Sequence, residues 1–415
     1  MKHLTVTECF GSIPISDSLT RVSLTAAEAD ELAHYVSASG LDETEIIFSR
    51  YEVTFINYVG FIQLRGCSIE ILPKVAGDDP AQSRRVLLRM LQRSGFLDIH
   101  ESQAGWLQLE KLNLFEIIAY LFTEKISCEL RKGIYRSYQH EDGELQLVRG
   151  KINLSRQLRR DAMKLPGVSC TYDEFQVSNP LNQILKTGLQ LITARSRYFP
   201  TKKRATDCLL LMDDVTGPPL TLDQMDRVWF DRTNRRYQES FQLAKLLLRQ
   251  STPTASPGGS KNSSILFKMN ELFEAYIAYL ARNIWDQVTI KDRSHKLLVR
   301  EGSTRGVFQL EPDLLVVNGQ GKSVILDTKW KMIHSQRSRH GVKREDFYQM
   351  YAYLTRYQAV EEVLLLYPHH EGIVSSGTCL ESWHLEGEPG KKLKVYSIHY
   401  EEEELAEQEL RTMIG

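Results

Sequence analysis

Three residues toward the C-terminal end of the sequence have the types and spacing to share one metal-centred reaction: Asp313, Asp327 and Lys329. Asp313 follows Pro312 and precedes the apolar run LLVV, while Asp327 and Lys329 close the strongly apolar segment VILDTKWK. On a strand, residues two apart share a face, so Asp327 and Lys329 point one way and Leu326 and Thr328 the other. Phosphodiester hydrolysis calls for a divalent cation to offset phosphate charge and for a water held for in-line attack. Magnesium takes hard oxygen ligands, commonly one or two carboxylates, and completes its octahedron with water and substrate. Asp313 and Asp327 would supply the carboxylates and the carbonyl of Thr328 a further oxygen, with the Lys329 ammonium beside the metal-bound water.

Whether Asp313 can join the other two depends on the turn. A two-residue loop within Asn318-Gly319-Gln320-Gly321 would set Asp313 against Leu326 and face it away from Asp327. A three-residue loop of Gly319, Gln320 and Gly321, with Gly321 in the left-handed conformation, sets Asp313 opposite Asp327. The second register is the expectation. In the following helix, EDFYQMYAYLTRY, Gln349 and Tyr353 stand at i and i+4, where an amide and a phenol can orient the lysine, the water or a DNA backbone. Glu274, ahead of Glu271, is a candidate further metal carboxylate from the preceding helix. The set resembles the PD-(D/E)xK pattern of metal-dependent nucleases. Short motifs of this kind recur by chance, and strand-end charges usually just face water. The added weight comes from the cost of burying a carboxylate and a lysine at the end of an apolar strand without partners.

The elements that must position these residues follow from composition and periodicity. At 415 residues the chain should fold as two or three domains, and its 42% apolar and 25% charged content is that of a globular protein, not a disordered or collagen-like one. No apolar run reaches the roughly eighteen residues of a membrane span, and the N-terminus lacks the core of a secretory signal, so the expected location is cytoplasmic. The six cysteines are scattered singly with no C-x-x-C pair. A net charge of -1 leaves any DNA contact to local patches: Arg131 to Arg160, Lys202-Lys203-Arg204, and Arg232 with Arg235 and Arg236. Gly321-Lys322-Ser323 imitates the end of a phosphate loop, but residue 316 is Val where a glycine is needed and a strand follows, so nucleotide binding is rejected. His369-His370 reads as a loop edge.

Strand-like alternation over the first eighty or so residues, with a hairpin turn at Arg65-Gly66, indicates a β-rich N-terminal domain spanning 1–80. Residues 81–250 read as a mainly helical middle domain, including a helix capped by Ser178 or Asn179 with Pro180 at its first position. Two extended arms around Asp142-Gly143 suggest a projecting hairpin or finger near 133–151. Residues 251–264, rich in Ser, Thr, Pro and Gly, read as a linker or mobile loop. The rest, 265–415, runs helix, three strands, helix, strand, an α/β order, and ends in EEEELAEQEL, which reads as a solvated helix. The expected fold class is therefore α/β multidomain, with a PD-(D/E)xK restriction-endonuclease-like domain at the C-terminus.

The ordered segments LRKGIYRSYQHEDGELQLVRGKINLSRQLR, DEFQVSNPLNQILKTGL, MNELFEAYIAYL, LEPDLLVV, ILDTKWK and FYQMYAYL, spread over roughly residues 84 to 370, resemble the McrC family, the nuclease subunit of the McrBC methylation-dependent restriction system. The N-terminal β-rich part looks like that of longer relatives. The resemblance implies a division of labour. A partner AAA+ GTPase, McrB, would form a hexameric ring, bind GTP and usually recognise modified cytosine. This chain would dock into the ring, stimulate GTP hydrolysis and cut double-stranded DNA with Mg2+. By position, Asp313, Asp327 and Lys329 match the family's nuclease motif, and the finger and middle domain would contact the ring. Two alternatives compete: a RecB-like DNA repair nuclease, and a catalytically silent adaptor that activates a GTPase.

Overall fold

The structure, a computed structural model, describes residues 2–9, 11–16, 22–42, 44–74, 79–97, 112–217, 222–249, 263–334, 338–370, 372–373 and 376–415. Most of the expected linker, 251–262, and the segment 75–78 near the expected first boundary lie outside the described residues. The chain divides into two compact units, one formed by 1–111 together with 266–415 and the other by 112–265.

The first unit begins with β1 (Lys2–Thr7), β2 (Ser12–Pro14), α1 (Ala26–Ala38), β3 (Ile46–Phe48), β4 (Glu52–Phe55), β5 (Tyr58–Gln63), β6 (Cys67–Leu72) and α2 (Pro80–Arg93). Strands β5 and β6 form the hairpin expected at Arg65-Gly66, with Ile62 opposite Ile69. β1 lies parallel to β6, and β2, β4 and β3 form a second small sheet. Helix α1 starts at a capping box in which Thr25 and Glu28 satisfy each other's backbone N–H groups. Its Leu32 and Val36 enter a core with Val53, Phe55, Ile69 and Ile71. Every residue of β6 is buried, including Glu70, whose carboxylate takes two bonds from Arg84 of α2 at 2.9 and 2.6 Å. Burial alone would raise Glu70, but His3 and Arg84 hold its carboxyl below the usual range. That pair ties α2 to the β-rich part, and both lie in the unit that includes residues 1–111.

The second unit contains α3 (Leu114–Arg131), β7 (Ser137–Leu145), β8 (Lys151–Ile152), α4 (Leu154–Ala162), β9 (Val168–Gln176), α5 (Pro180–Arg195), α6 (Phe199–Leu211), α7 (Leu222–Asp226) and α8 (Gln238–Arg249). Asn179 caps α5 through Asn182 N–H at 3.0 Å, with Pro180 at the first position as expected. Asp142-Gly143, read as a turn, lies inside β7 instead, opposite Thr171 and Cys170 of β9. The physical reason is a ring: a Cβ on Gly143 would sit 3.1 Å from the Tyr172 hydroxyl, so the glycine makes room for a cross-strand tyrosine. The returning arm is β9, and α4 is inserted before it. The basic stretch from Arg131 to Arg160 is also less free than its composition suggests. Arg149 meets Glu174 at 3.1 Å, Arg156 meets Asp142 at 3.3 Å, and Arg160 pairs with Glu144.

The chain then returns through β10 (Ser263–Lys268), which lies beside β5, and α9 (Met269–Ile284). There follow β11 (Gln287–Ile290), β12 (Lys296–Val299), β13 (Gly306–Gln309), β14 (Leu314–Val317), β15 (Ser323–Thr328), α10 (Arg344–Arg356), β16 (Val360–Pro368), β17 (Cys379–Leu385), β18 (Glu388–Ile398) and α11 (Glu403–Ile414). A six-stranded mixed sheet forms in the order β11-β14-β15-β16-β18-β17. β15, β16 and β18 are parallel, and α10 provides the crossover that parallel neighbours require between β15 and β16. Ile325, Val363, Leu365 and Val395 pack with Met350, Tyr353 and Leu354 of α10 into a second core. The sequence segment VFQLEPDLLVV breaks into two strands, β13 and β14, because Glu311-Pro312 interrupts the ladder. The acidic C-terminal helix is not simply solvated, since Leu410, Met413 and Ile414 are buried. No helix among the described residues is long and apolar enough to cross a membrane.

Candidate active site

The β14–β15 hairpin sets the geometry. Asn318 N–H donates to the Lys322 carbonyl at 2.9 Å and Gly321 N–H to the Asn318 carbonyl at 2.9 Å, leaving a loop of Gly319, Gln320 and Gly321. Gly321 has φ +79°, the left-handed value this loop needs, and the Asn318 side chain accepts from the Gln320 and Lys322 amides at 3.0 and 2.9 Å. Leu314 consequently pairs with Leu326, and one step further along the same register Asp313 stands opposite Asp327. The three-residue loop expected from the sequence is the one observed.

Asp327, at the buried end of β15, is fully enclosed and ion-paired through Oδ2 with Lys329 Nζ. That oxygen has no hydrogen-bond partner beyond the ion pair. Burial and the neighbouring Asp313 charge push the Asp327 carboxyl up to about 7, against the opposing pull of Lys329. Burial would lower Lys329, yet Asp327 and, beyond it, Asp313 hold its ammonium above the ordinary lysine value. Asp313 sits at a bend just before β14, and its Oδ2 accepts from the Thr328 amide at 2.7 Å and the Thr328 hydroxyl at 2.8 Å. Thr328, read from the sequence as a carbonyl donor facing away, thus fixes Asp313 with its own amide and side chain.

Gln349 and Tyr353 both face this site from α10. Lys329 Nζ donates to Gln349 Oε1 at 3.0 Å, and Gln349 Nε2 donates to the Tyr353 hydroxyl at 2.8 Å and lies 3.5 Å from Asp327 Oδ1. The Tyr353 hydroxyl in turn donates to the Glu311 carbonyl at 3.1 Å, pinning the segment that leads into Asp313. Glu274 of α9 is half-buried, and burial together with the Asp313 charge raises its carboxyl. Its Oε1 is held at 3.1 Å by Lys291, a residue the sequence reading missed. Lys291 lies 22 positions before Asp313, and only the fold brings it in: its N–H donates to the Asp313 carbonyl at 3.0 Å. Nearby, Lys331 pairs with Asp346 at 2.8 Å, a second contact not foreseen.

Among the described residues, no three His, Cys, Asp or Glu side chains converge as a ready metal-ligand group. The donor set fits magnesium nonetheless, because that ion needs only one or two carboxylates and retains several waters. The buried, under-compensated Asp327 oxygen is the observation that favours a cation there. Asp313 and Asp327 would hold the ion. Glu274 is close enough to feel Asp313 but is engaged by Lys291.

Together these features define a multidomain α/β protein with a carboxylate–lysine cluster at the end of a mixed sheet, buttressed by an amide and a phenol from one helix. The model of the family described as "McrBC 5-methylcytosine restriction system component" matches residues 53–368, and the chain belongs to that family. A chain of the refined half-complex from a tetradecameric assembly of Thermococcus gammatolerans McrB AAA+ hexamers with bound McrC is similar in fold, with TM-score 0.72 and 19% identity over 100% of both chains. A chain of the cryo-EM structure of the Thermococcus gammatolerans McrBC complex has TM-score 0.53 and 25% identity, covering 71% of this chain and 90% of that one. No curated protein matches the chain.

Proposed function

We propose that this chain is the McrC-like endonuclease subunit of a GTP-dependent restriction system, working in the cytoplasm on cytosine-modified double-stranded DNA. The observation that carries the reading is the three-residue β14–β15 loop, whose register sets Asp313 across from Asp327, itself ion-paired with Lys329. In this reading the C-terminal part is a PD-(D/E)xK domain, with β14, β15, α10 and β16 as its central elements. A bound Mg2+ would neutralise phosphate charge and lower the pKa of a coordinated water. Asp313 and Asp327 would hold that ion, and the Thr328 amide and hydroxyl fix the Asp313 carboxylate in place. Lys329, oriented by Gln349, presents its ammonium to the attacking water and the phosphate. Tyr353 fixes Gln349, so a hydrogen-bonded relay runs from Lys329 to the Glu311 carbonyl.

Family membership and the fold of relatives seen with McrB support a division of labour in which a McrB-like AAA+ GTPase hexamer binds GTP and this chain docks into the ring and stimulates hydrolysis. The β7–β9 finger is the docking element in this reading. Its exposed Leu147, Leu154 and Leu158 offer apolar surface that its ion-paired arginines do not.

Reconstitution with the partner GTPase, GTP, Mg2+ and methylated or unmodified duplex DNA tests both roles. Asp327→Ala should abolish cutting of methylated DNA while GTPase stimulation persists. Cutting that survives the substitution removes the assigned site. Equal cutting without GTP would speak for a repair nuclease instead.

A further inference from the structure

Strands β12 and β13 form a two-stranded ribbon outside the main sheet, and β13 leads through Leu310, Glu311 and Pro312 straight into Asp313. The base of the ribbon is tied down. Gln309 Nε2 donates to the Arg293 and His295 carbonyls at 2.8 and 2.7 Å, and Arg356 of α10 donates to the Lys296 carbonyl at 3.1 Å. Its outer part is apolar and bare: Leu298, Val299 and Phe308 are 53%, 59% and 69% exposed.

Phe308 carries a second, independent peculiarity. Leu298 pairs with Val307 and Lys296 with Gln309, which places Phe308 across from Leu297. Leu297 packs against the core, as its face of the ribbon dictates, but Phe308 has φ +58° and is turned out to solvent. A bulky residue in the left-handed region is strained, and such strain clusters at functional sites. A large ring is thus turned out to solvent five residues before Asp313. Within the ribbon itself, residues 296–309, cations outnumber anions, with Lys296, Arg300 and Arg305 against Glu301, and neither arginine is ion-paired among the described residues.

We infer that this ribbon enters a groove of the duplex being cut, with Arg300 and Arg305 on the phosphates and the Phe308 ring wedged at a base step beside the scissile bond. A two-stranded ribbon has the dimensions of a DNA groove, and apolar wedges that unstack a step are an established way to deform a duplex. The excess of cations favours a polyanion over a second copy of the chain or an apolar protein partner. The inference rests on the DNA-cleaving reading given above.

The test uses the full chain in EDTA with a fluorescently labelled duplex, and a second duplex carrying 2-aminopurine, whose emission rises when its neighbours unstack. The wild type should bind and raise the 2-aminopurine signal. Phe308→Gly, which accepts the left-handed backbone and so keeps the fold, should lose that rise while affinity changes less than about tenfold, and Phe308→Tyr should restore it. Arg300→Ala with Arg305→Ala should weaken binding at least tenfold and reduce the salt slope by about 2. Binding and emission unchanged in all variants, or no binding by the wild type, overturns the inference. So does a Phe308→Gly protein that turns from dimer to monomer in light scattering. Failure of Asp327→Ala to stop cleavage would remove the hydrolytic reading while leaving these binding results to stand or fall separately.

Discussion

At the scale of single residues, Asp327 is the pivot, because it is the most buried charge of the cluster and the least compensated. Its native state holds a proton more tightly than the unfolded chain does, so the metal-free protein loses stability as pH rises from about 4 to 7 and levels off above. Metal binding needs the carboxylate ionised and must displace that proton. The rise in melting temperature caused by Mg2+ should therefore be full near pH 8, shrink as pH falls through about 7, and be absent at either pH in Asp327→Asn. A scanning fluorimetry series over pH and Mg2+ measures this directly, and an equal Mg2+ effect at pH 5.5 and 8 would contradict it. Gln349 plays a different part, since it orients Lys329 without supplying charge. Gln349→Ala should slow single-turnover cleavage by about 10- to 100-fold while the Mg2+-induced melting shift stays intact. A lost shift would mean that Gln349 holds the ion and not the lysine.

At the scale of elements, the β14–β15 loop carries the register, and Gly321 carries the loop. A Cβ at Gly321 would meet nothing within 4 Å, so substitutions there act through backbone conformation alone. With φ at +79°, Gly321→Ala should cost about 1 kcal/mol in denaturant melts, and Gly321→Asn clearly less, because asparagine tolerates the left-handed region. Equal costs for the two would show that the loop does not depend on that conformation. This part of the site was legible in the sequence because Asn-Gly-Gln-Gly admits few turns and a slip of one residue would turn the acidic pair apart. The pairing of Gln349 with Tyr353 was legible for a similar reason, a fixed helical spacing. The same local logic failed at Asp142-Gly143, where a strong turn pair is overridden by the Tyr172 ring it accommodates in mid-strand. Lys291 was invisible because nothing in its own neighbourhood points to Glu274, and only the sheet brings the two together.

At the scale of the whole molecule, the N-terminal β-rich part and the C-terminal sheet form one unit, which periodicity could not reveal. The strands were readable one by one, but their assembly rests on contacts hundreds of residues apart. Trp330, next to Lys329, donates its indole N–H to Glu8 at 2.8 Å, and burial raises that carboxyl despite the bond. Arg93 of α2 reaches Glu403 of α11 at 2.9 Å. Deleting residues 1–79 would expose the β10 edge and remove the partners of Trp330 and Arg84. Losses of a few kcal/mol follow from the buried apolar surface alone. The truncated chain should melt about 10 °C lower or fail to fold, as judged by calorimetry. An unchanged melt would mean that the β-rich part is an independent appendage.

The central claim, that Asp313 and Asp327 would together hold a divalent cation, is tested most directly by loading Fe2+ in place of Mg2+, adding ascorbate and peroxide, and mapping the resulting backbone breaks by mass spectrometry. The account predicts breaks clustered around residues 311–313 and 326–329, suppressed by excess Mg2+ and lost in Asp327→Ala. Breaks elsewhere in the chain, or an identical pattern in Asp327→Ala, would contradict it.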